Sequence, residues 1–432
     1  MKKKAKWLAS VGAGMSTLVF AACGSPASPS ASPSHPVTLK LWQEFGTGSS
    51  ETVAMNKVIQ AFEKLHPNIK VDQIAQPVNN YFSLLQAASI SRTGPDLAVV
   101  WTGAFLDRSL PYIANISKPL AHSNLLSLQG VQWVSKNSTI SDGVYGVPYN
   151  FQYYLGYYNK ALFRKAGIST VPRDWTQLYQ DCAELKAHGI TPFIYGSTSG
   201  SAGAEFYPYW SFAYMMAGAY PLSSWKSLFY GKIPWTSPAV AAQVQNWVAL
   251  YKRGYTNKNV LTMLNAEKAF MDGQGAMFVN GNWFTGSLEK GLGKNLGVFV
   301  PPFSTQPMHA VIGMPGDAIA MTKYTKYPTQ SVEFLRFLTT PAAQKAIASA
   351  GLIPADPKIK VTDPLSRQLI NFAAVDHYQD YPMLDNVTPV PVVNTASTEL
   401  DAAFAGDISV NRALTAMVHS LQSIPASQKP AY

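Results

Sequence analysis

VTLKLWQEF at residues 37–45, HPNIKV at 66–71 and GPDLAVVW at 94–101 decide the fold. In the first stretch Val37, Leu39 and Leu41 alternate with Thr38, Lys40 and Trp42, the two-residue period of a strand with one buried face. Ile69, Val71 and Ile74 predict a second strand, and the run from Asp96 to Trp101 a third. That third run is continuously apolar after Asp96, as strands buried on both faces are. Val53, Ile59, Phe62 and Leu65 recur at spacings near three and four, predicting a helix with one stripe toward a core. Pro67 ends it, because proline disfavours helical geometry at His66. Residues 81–90 read as a second helix, so strand, helix, strand, helix, strand make an α/β layer.

Working outward, a second α/β region follows Tyr149. Residues 154–158 read as a strand and 159–166 as a short helix. DWTQLYQDCAELKAHG at 174–189 gives a longer helix, capped by Asp174 and ended at Gly189. Strands are expected at 276–279 and 296–300, and an amphipathic helix at 240–251. Thr340 followed by Pro341 opens a further helix. Ser409 caps a last one, with Ala413, Leu414, Met417, Val418 and Leu421 on one side. There is no internal repeat. A chain of 432 residues, 47% hydrophobic and 13% charged, suits two or three packed domains rather than a disordered or polytopic membrane protein.

The amino terminus is an address. Lys2, Lys3, Lys4 and Lys6 precede an apolar run from Trp7 to Phe20, then small residues before Cys23, the pattern of a secretory signal. The run is too short to cross a hydrocarbon core of about 30 Å. VFAAC at 19–23 resembles the lipobox of bacterial lipoproteins, in which the cysteine becomes the lipidated first residue. GSPASPSASPSHP at 24–36 then holds the chain extended and offers nothing to bury. Those four lysines carry part of the formal charge of +10, which leaves a mild balance and no case for nucleic-acid binding.

Signatures of bond chemistry fail in turn. Seven histidines include no HExxH, and two distant cysteines make no zinc site; Cys182 reads as a small buried side chain. GSTSG at 196–200 has Thr198 where a nucleophile elbow needs Ser, and GLGKNLG at 291–297 has the wrong spacing for a phosphate cradle. A glycoside hydrolase needs two carboxyl groups about 5–9.5 Å apart. Glu44, Asp72, Asp96, Asp142, Glu205, Asp272 and Asp317 are scattered along the chain. The positive signal is aromatic: 10 Trp, 22 Tyr and 20 Phe, several of them beside Gly, Pro or Asn in loops. A sugar ring has an apolar C–H face and a polar edge, which suits a flat indole ringed by amides and carboxylates.

The order of segments is similar to that of the extracellular solute-binding proteins of ABC importers, in the group that includes maltose-binding protein. The matching runs are VTLKLWQEF, VIQAFEKLHPNIKV at 58–71, YFSLLQAASISRTGPDLAVV at 81–100 and DGVYGVPYNFQYYLGYYNKALFRKAGI at 142–168. DWTQLYQDCAELKAHG, FMDGQGAMFVNGNWFTG at 270–286, SVEFLRFLTTPAAQKAIASAGLIP at 331–354 and AGDISVNRALTAM at 405–417 continue the set. The resemblance implies a two-lobed α/β fold of the periplasmic-binding-protein kind. Its lobes are discontinuous, joined by hinge crossovers, with a ligand cleft between them. On this chain that means a signal peptide at 1–22, lipidated Cys23 and tether at 23–36, a first lobe at 37–147 plus 311–350, and a second at 148–310 plus 351–432.

The same resemblance implies site residues. Trp283, in VNGNW, stands where sugar-binding members present a stacking Trp, with Asn282 replacing the usual Pro. Gln152, in PYNFQ, matches a polar ligand contact, with Tyr153 beside it. Trp42 with Glu44, and Trp101 with Thr102, are expected at strand ends on the cleft edge. Asp317, in GMPGDAIA, takes a place usually apolar, either binding hydroxyls or making a structural hydrogen bond. Trp210 is included on residue type. The implied function is a lipid-anchored, non-enzymatic, monomeric receptor outside the cell membrane. It would take a carbohydrate, an oligosaccharide before a monosaccharide, to a transmembrane permease, with no cofactor, metal or nucleic acid. A glycerophosphodiester or other polyol is the alternative ligand, and a secreted hydrolase or surface adhesin the more distant readings.

Overall fold

The two-residue period of the first strand survives in three dimensions: Leu39 and Leu41 are fully buried, while Thr38 and Lys40 are exposed. The computed structural model describes residues 36–46, 49–196, 208–374 and 378–429. The signal segment, Cys23, nearly all of the Pro/Ser tether, Thr198 and Glu205 lie outside the described residues.

Twelve strands are found among the described residues: β1 (Val37–Gln43), β2 (Ile69–Ala75), β3 (Leu97–Trp101), β4 (Val147–Pro148), β5 (Asn150–Asn159) and β6 (Phe193–Ile194), then β7 (Met277–Gly281), β8 (Leu296–Phe299), β9 (Ala310–Met314), β10 (Asp317–Met321), β11 (Ile353–Pro354) and β12 (Gln379–Tyr381). They form two mixed sheets, one ordered β2-β1-β3-β10-β4 and one ordered β12-β9-β5-β7-β6, with β8 and β11 also on β5. The architecture is therefore two-lobed α/β with discontinuous lobes.

Helix starts follow the expected capping chemistry. Ser49 accepts from the Thr52 amide, Asp174 from Gln177, Thr340 from Ala343 and Ser409 from Arg412, each satisfying an amide that the helix leaves open. The helix Ser50–Leu65 buries Glu51, Ala54, Met55, Val58, Ile59 and Phe62. Its core stripe is thus rotated from the expected one. Val53 is 37% and Leu65 66% exposed, because the 3.6-residue period runs through Ala54, Val58 and Phe62 and turns both outward. Cys182 is fully buried with a free thiol, packed in the second lobe.

The chain crosses between the sheets three times. Pro148 still pairs with Ala318 in the first sheet, so the first crossing falls at Tyr149. The second runs through Pro315 and Gly316, between β9 and β10. Return to the first sheet therefore comes at Asp317 and not at Val311. Strand β9 pairs with β5, and its Val311 and Ile312 are buried in cores on opposite faces of the second sheet. The third crossing lies between the helix Pro341–Ala348, packed in the first core, and β11. The crossings are bonded side by side: the Tyr149 amide donates to the Asp317 carbonyl at 3.3 Å, and the Ala355 amide to the Tyr149 carbonyl at 3.2 Å.

Candidate functional site

Strands β1 and β3 run parallel and β10 antiparallel to β3, so the ends of β1 and β3 and the start of β10 open on one edge. Crevices outside strand carboxyl ends are where open α/β sheets bind ligands. Three expected residues meet there. Trp101 ends β3 directly opposite Asp317, and its indole Nε1 donates to Glu44 Oε1 at 2.5 Å. The Trp101 ring is held edge-on against Phe82 and Phe105.

Glu44 is 7% exposed, and its Oε2 has no hydrogen-bond partner. Burial pushes this carboxyl up to about 8, with the charge of Asp317 adding to the rise and the Trp101 bond opposing it. Glu51, second residue of its helix, is 2% exposed with Oε1 unpartnered, and burial raises it to about 8 as well. The charge of Asp317 raises it further. An acid in a first helical turn reads as ordinary dipole compensation, which hid Glu51 from sequence reasoning.

Asp317 is 2% exposed and clasps the crossings. Its Oδ2 accepts from Asn150 Nδ2 at 3.0 Å and Gln152 Nε2 at 2.7 Å, while its amide donates to Asn150 Oδ1 at 3.2 Å. Burial raises it to about 7 against the pull of those two amides. Gly316 is required beside it: a Cβ there would lie 1.5 Å from Gln152 Oε1.

The second lobe contributes an aromatic wall. Tyr154, Trp210 and Trp283 touch pairwise, with ring centroids 5.2 Å apart for Tyr154–Trp210, 5.6 Å for Tyr154–Trp283 and 5.6 Å for Trp210–Trp283. The Trp283 ring folds back over Gly281, where a Cβ would fall 2.0 Å from it. Asn282 explains the missing proline. Its side chain donates to the Phe151 carbonyl at 3.2 Å and accepts from the Tyr153 amide at 3.1 Å, extending the β5 ladder and setting the turn that carries Trp283. Behind Trp210 a cavity of about 10 Å³, bounded also by Tyr195 and Asn280, has room for about one water.

Three expected residues are placed otherwise. Tyr153 is turned from Gln152 by the alternation of β5 and packs with Phe151 in the core on the sheet's other face. The residue sharing the Gln152 face is Tyr154, which the same period would have named. Thr102 is fully buried: its hydroxyl donates to the Pro315 carbonyl at 2.6 Å and accepts from Asn386 Nδ2 at 3.2 Å. Those bonds tie it to the crossing and to the second lobe. Trp42 sits inside the ladder, between Ile74 and Ala98, and β1 continues past it to Gln43.

Asp385 and Asn386 were invisible in a late segment without period, yet they join the two sides. Asp385 accepts from the Tyr154 hydroxyl at 2.8 Å, and Asn386 donates to Thr102. The Ser50–Leu65 helix also packs against the Asn282–Phe284 turn. Trp133, on a turn of the first lobe, meets Trp225 at 6.2 Å.

Comparison with known proteins accords with this geometry. The chain is 22% identical over 433 residues to an uncharacterized ABC transporter extracellular-binding protein of Pyrococcus horikoshii, covering 95% of this chain and 94% of that one. It is 22% identical over 362 residues to the multiple sugar-binding protein of Streptococcus mutans, covering 79% and 80%. A chitin oligosaccharide binding protein of solved structure superposes with a TM-score of 0.75 at 20% identity, covering 89% of this chain and 98% of that one. The family described as bacterial extracellular solute-binding protein matches residues 48–345, well over half of the chain, and to that family this protein belongs.

Proposed function

We propose that the protein is the lipid-anchored, substrate-binding component of an ABC importer, capturing an oligosaccharide in the crevice between its lobes and presenting it to a membrane permease. The observation that carries this reading is the aromatic wall of Tyr154, Trp210 and Trp283 in the second lobe, joined through Asp385 and Asn386 to the polar strand ends of the first. Indoles match the C–H faces of sugar rings, and Glu44, Gln152 and Asp317 match their hydroxyl edges. Relatives named for multiple sugars and for chitin oligosaccharide support the same class.

Binding changes no covalent bond. A ligand touching both lobes favours the closed arrangement by its differential affinity for it, and the three crossings are the segments that flex. Retention at the membrane comes from a lipid on Cys23, with the residues after it as a spacer. A glycerophosphodiester is the weaker alternative, since the side chains bonded to Glu44 and Asp317 are an indole and two amides, with no lysine or arginine among them to hold a phosphate.

A calorimetric screen of mono- and oligosaccharides tests the reading. Oligosaccharide binding that also raises the melting temperature is expected; release of shortened product would convert the protein to a hydrolase. Cys23→Ser should shift the protein from membrane to medium, and continued retention would refute the anchor.

A further inference from the structure

Contacts between the lobes stand at different distances from the crossings. The nearer ones surround Thr102, which donates to the Pro315 carbonyl and is bonded by Asn386, while a Cβ on Gly103 would lie 2.1 Å from the Asn386 carbonyl oxygen. A farther one spans the mouth of β1. Leaving that strand at Gln43, the chain passes Glu44 and begins its helix at Ser50, on the edge of the crevice. Opposite stands Gly286, in the helix Thr285–Leu292 that follows the turn carrying Trp283. A Cβ on Gly286 would lie 2.8 Å from Ser50 Oγ, closer than a real Cβ comes to a neighbour.

Both halves of this contact are held firmly. Ser49 caps the first helix through the Thr52 amide at 3.1 Å. The Thr285 hydroxyl lies 2.6 Å from that of Tyr157 on β5, and Leu288 is fully buried in the second lobe. Within its own lobe nothing calls for a glycine at 286. Alanine suits a helix better, and outside that helix Ser50 Oγ is the one atom among the described residues that a Cβ there would meet within 4 Å. In the first sheet β1 stands two strands from β10, where the second crossing arrives, about 10 Å away at the usual strand spacing. Rotation about a hinge displaces atoms in proportion to their distance from it. The contacts at Thr102 therefore persist on opening, and the one between Ser50 and Gly286 parts.

Resting on the capture reading above, we propose that Ser50 and Gly286 form the seat on which the lobes come to rest when the crevice closes, with Gly286 a positioning residue for capture. Its missing side chain sets how far closure goes, and so how tightly an oligosaccharide between the lobes is held.

The test joins a cross-link to a substitution, in the full chain carrying Cys23→Ser so that Cys23 does not compete; Cys182 is buried. Disulfides hold their β-carbons about 3.5–4.5 Å apart, which the approach of Ser50 to Gly286 permits. Ser50→Cys with Gly286→Cys should oxidise to one disulfide without ligand, and small-angle scattering should show the oxidised chain more compact than the reduced one. Chitotetraose, cellotetraose and maltotetraose are the probes. Whichever binds the parent should enter the oxidised chain about tenfold more slowly, with dithiothreitol restoring the rate. Gly286→Ala should keep or raise the melting temperature yet weaken that probe about threefold, and adding Ser50→Ala should restore affinity. A reduced variant that melts cooperatively but does not cross-link, equal radii in the two redox states, unchanged probe entry, or Gly286→Ala binding as tightly as the parent would each overturn the inference, as would failure of Ser50→Ala to restore affinity. If no probe binds, the oligosaccharide reading falls, and the cross-link and the radii still decide this one.

Discussion

The two sides of the crevice are built on opposite terms. In the second lobe Tyr154 is buried and engaged on every side: its ring lies between Trp210 and Trp283, its hydroxyl donates to Asp385, and its carbonyl accepts from Tyr214. In the first lobe the strand mouths hold carboxylates raised by burial, two of them with an oxygen left open. The wall is fully packed; the mouth keeps unpartnered buried oxygens. Packed aromatic rings add to a core's stability, whereas buried polar atoms without partners subtract from it.

The largest effect should come from breaking the wall. Tyr154→Ala removes the ring that both indoles lean on, and a loss of about 3–5 kcal/mol in folding stability is expected from denaturant unfolding. A small change would mean the wall is loosely packed and the contrast overstated.

Trp283→Ala should spare more of the fold and strike the ligand. A drop in oligosaccharide affinity of about thirtyfold, ~2 kcal/mol, is expected by calorimetry. Unchanged affinity would assign Trp283 to packing alone.

The mouth should show itself through pH. Glu44 and Glu51 titrate at 4.5 when exposed and about 8 when folded, so the folded chain holds extra protons between those values. Their contribution to stability is full below about 4.5 and is lost as pH rises through about 8. Melting temperatures of the ligand-free protein should fall across this window, and Glu44→Gln should flatten the slope. A rising slope would mean the mouth is already compensated.

Capping provides the smallest comparison. Ser49→Ala, at the mouth, and Asp174→Ala, far from it, each remove a cap bond worth about 1 kcal/mol. Equal losses would confine the open terms of the mouth to its carboxylates; a larger loss at Ser49 would extend them to the helix start.

Much of this molecule was legible in the chain. Strand β1 was readable because alternation is local, and the caps Asp174, Thr340 and Ser409 because a capping side chain bonds an amide two or three residues on. The helix Ser50–Leu65 was found but turned slightly wrong, since several apolar residues compete for a stripe and only the neighbouring sheet chooses among them. Of the residues named in advance, the structure brings Glu44 to Trp101, Gln152 to Asp317 and Trp210 to Trp283. The side chains of Tyr153 and Thr102 are engaged in packing and at the crossing, which no spacing reveals.

What the sequence alone determined is everything governed by neighbours a few residues apart: periods, caps, breaks and the order of elements. Only the tertiary structure decided that Glu44 bonds to Trp101 opposite Asp317 and that Tyr154 answers to Asp385. Sheet order and crossings bring those positions together from distant parts of the chain. A carboxyl group's charge then depends on the surroundings that assembly provides, not on the residues beside it in sequence.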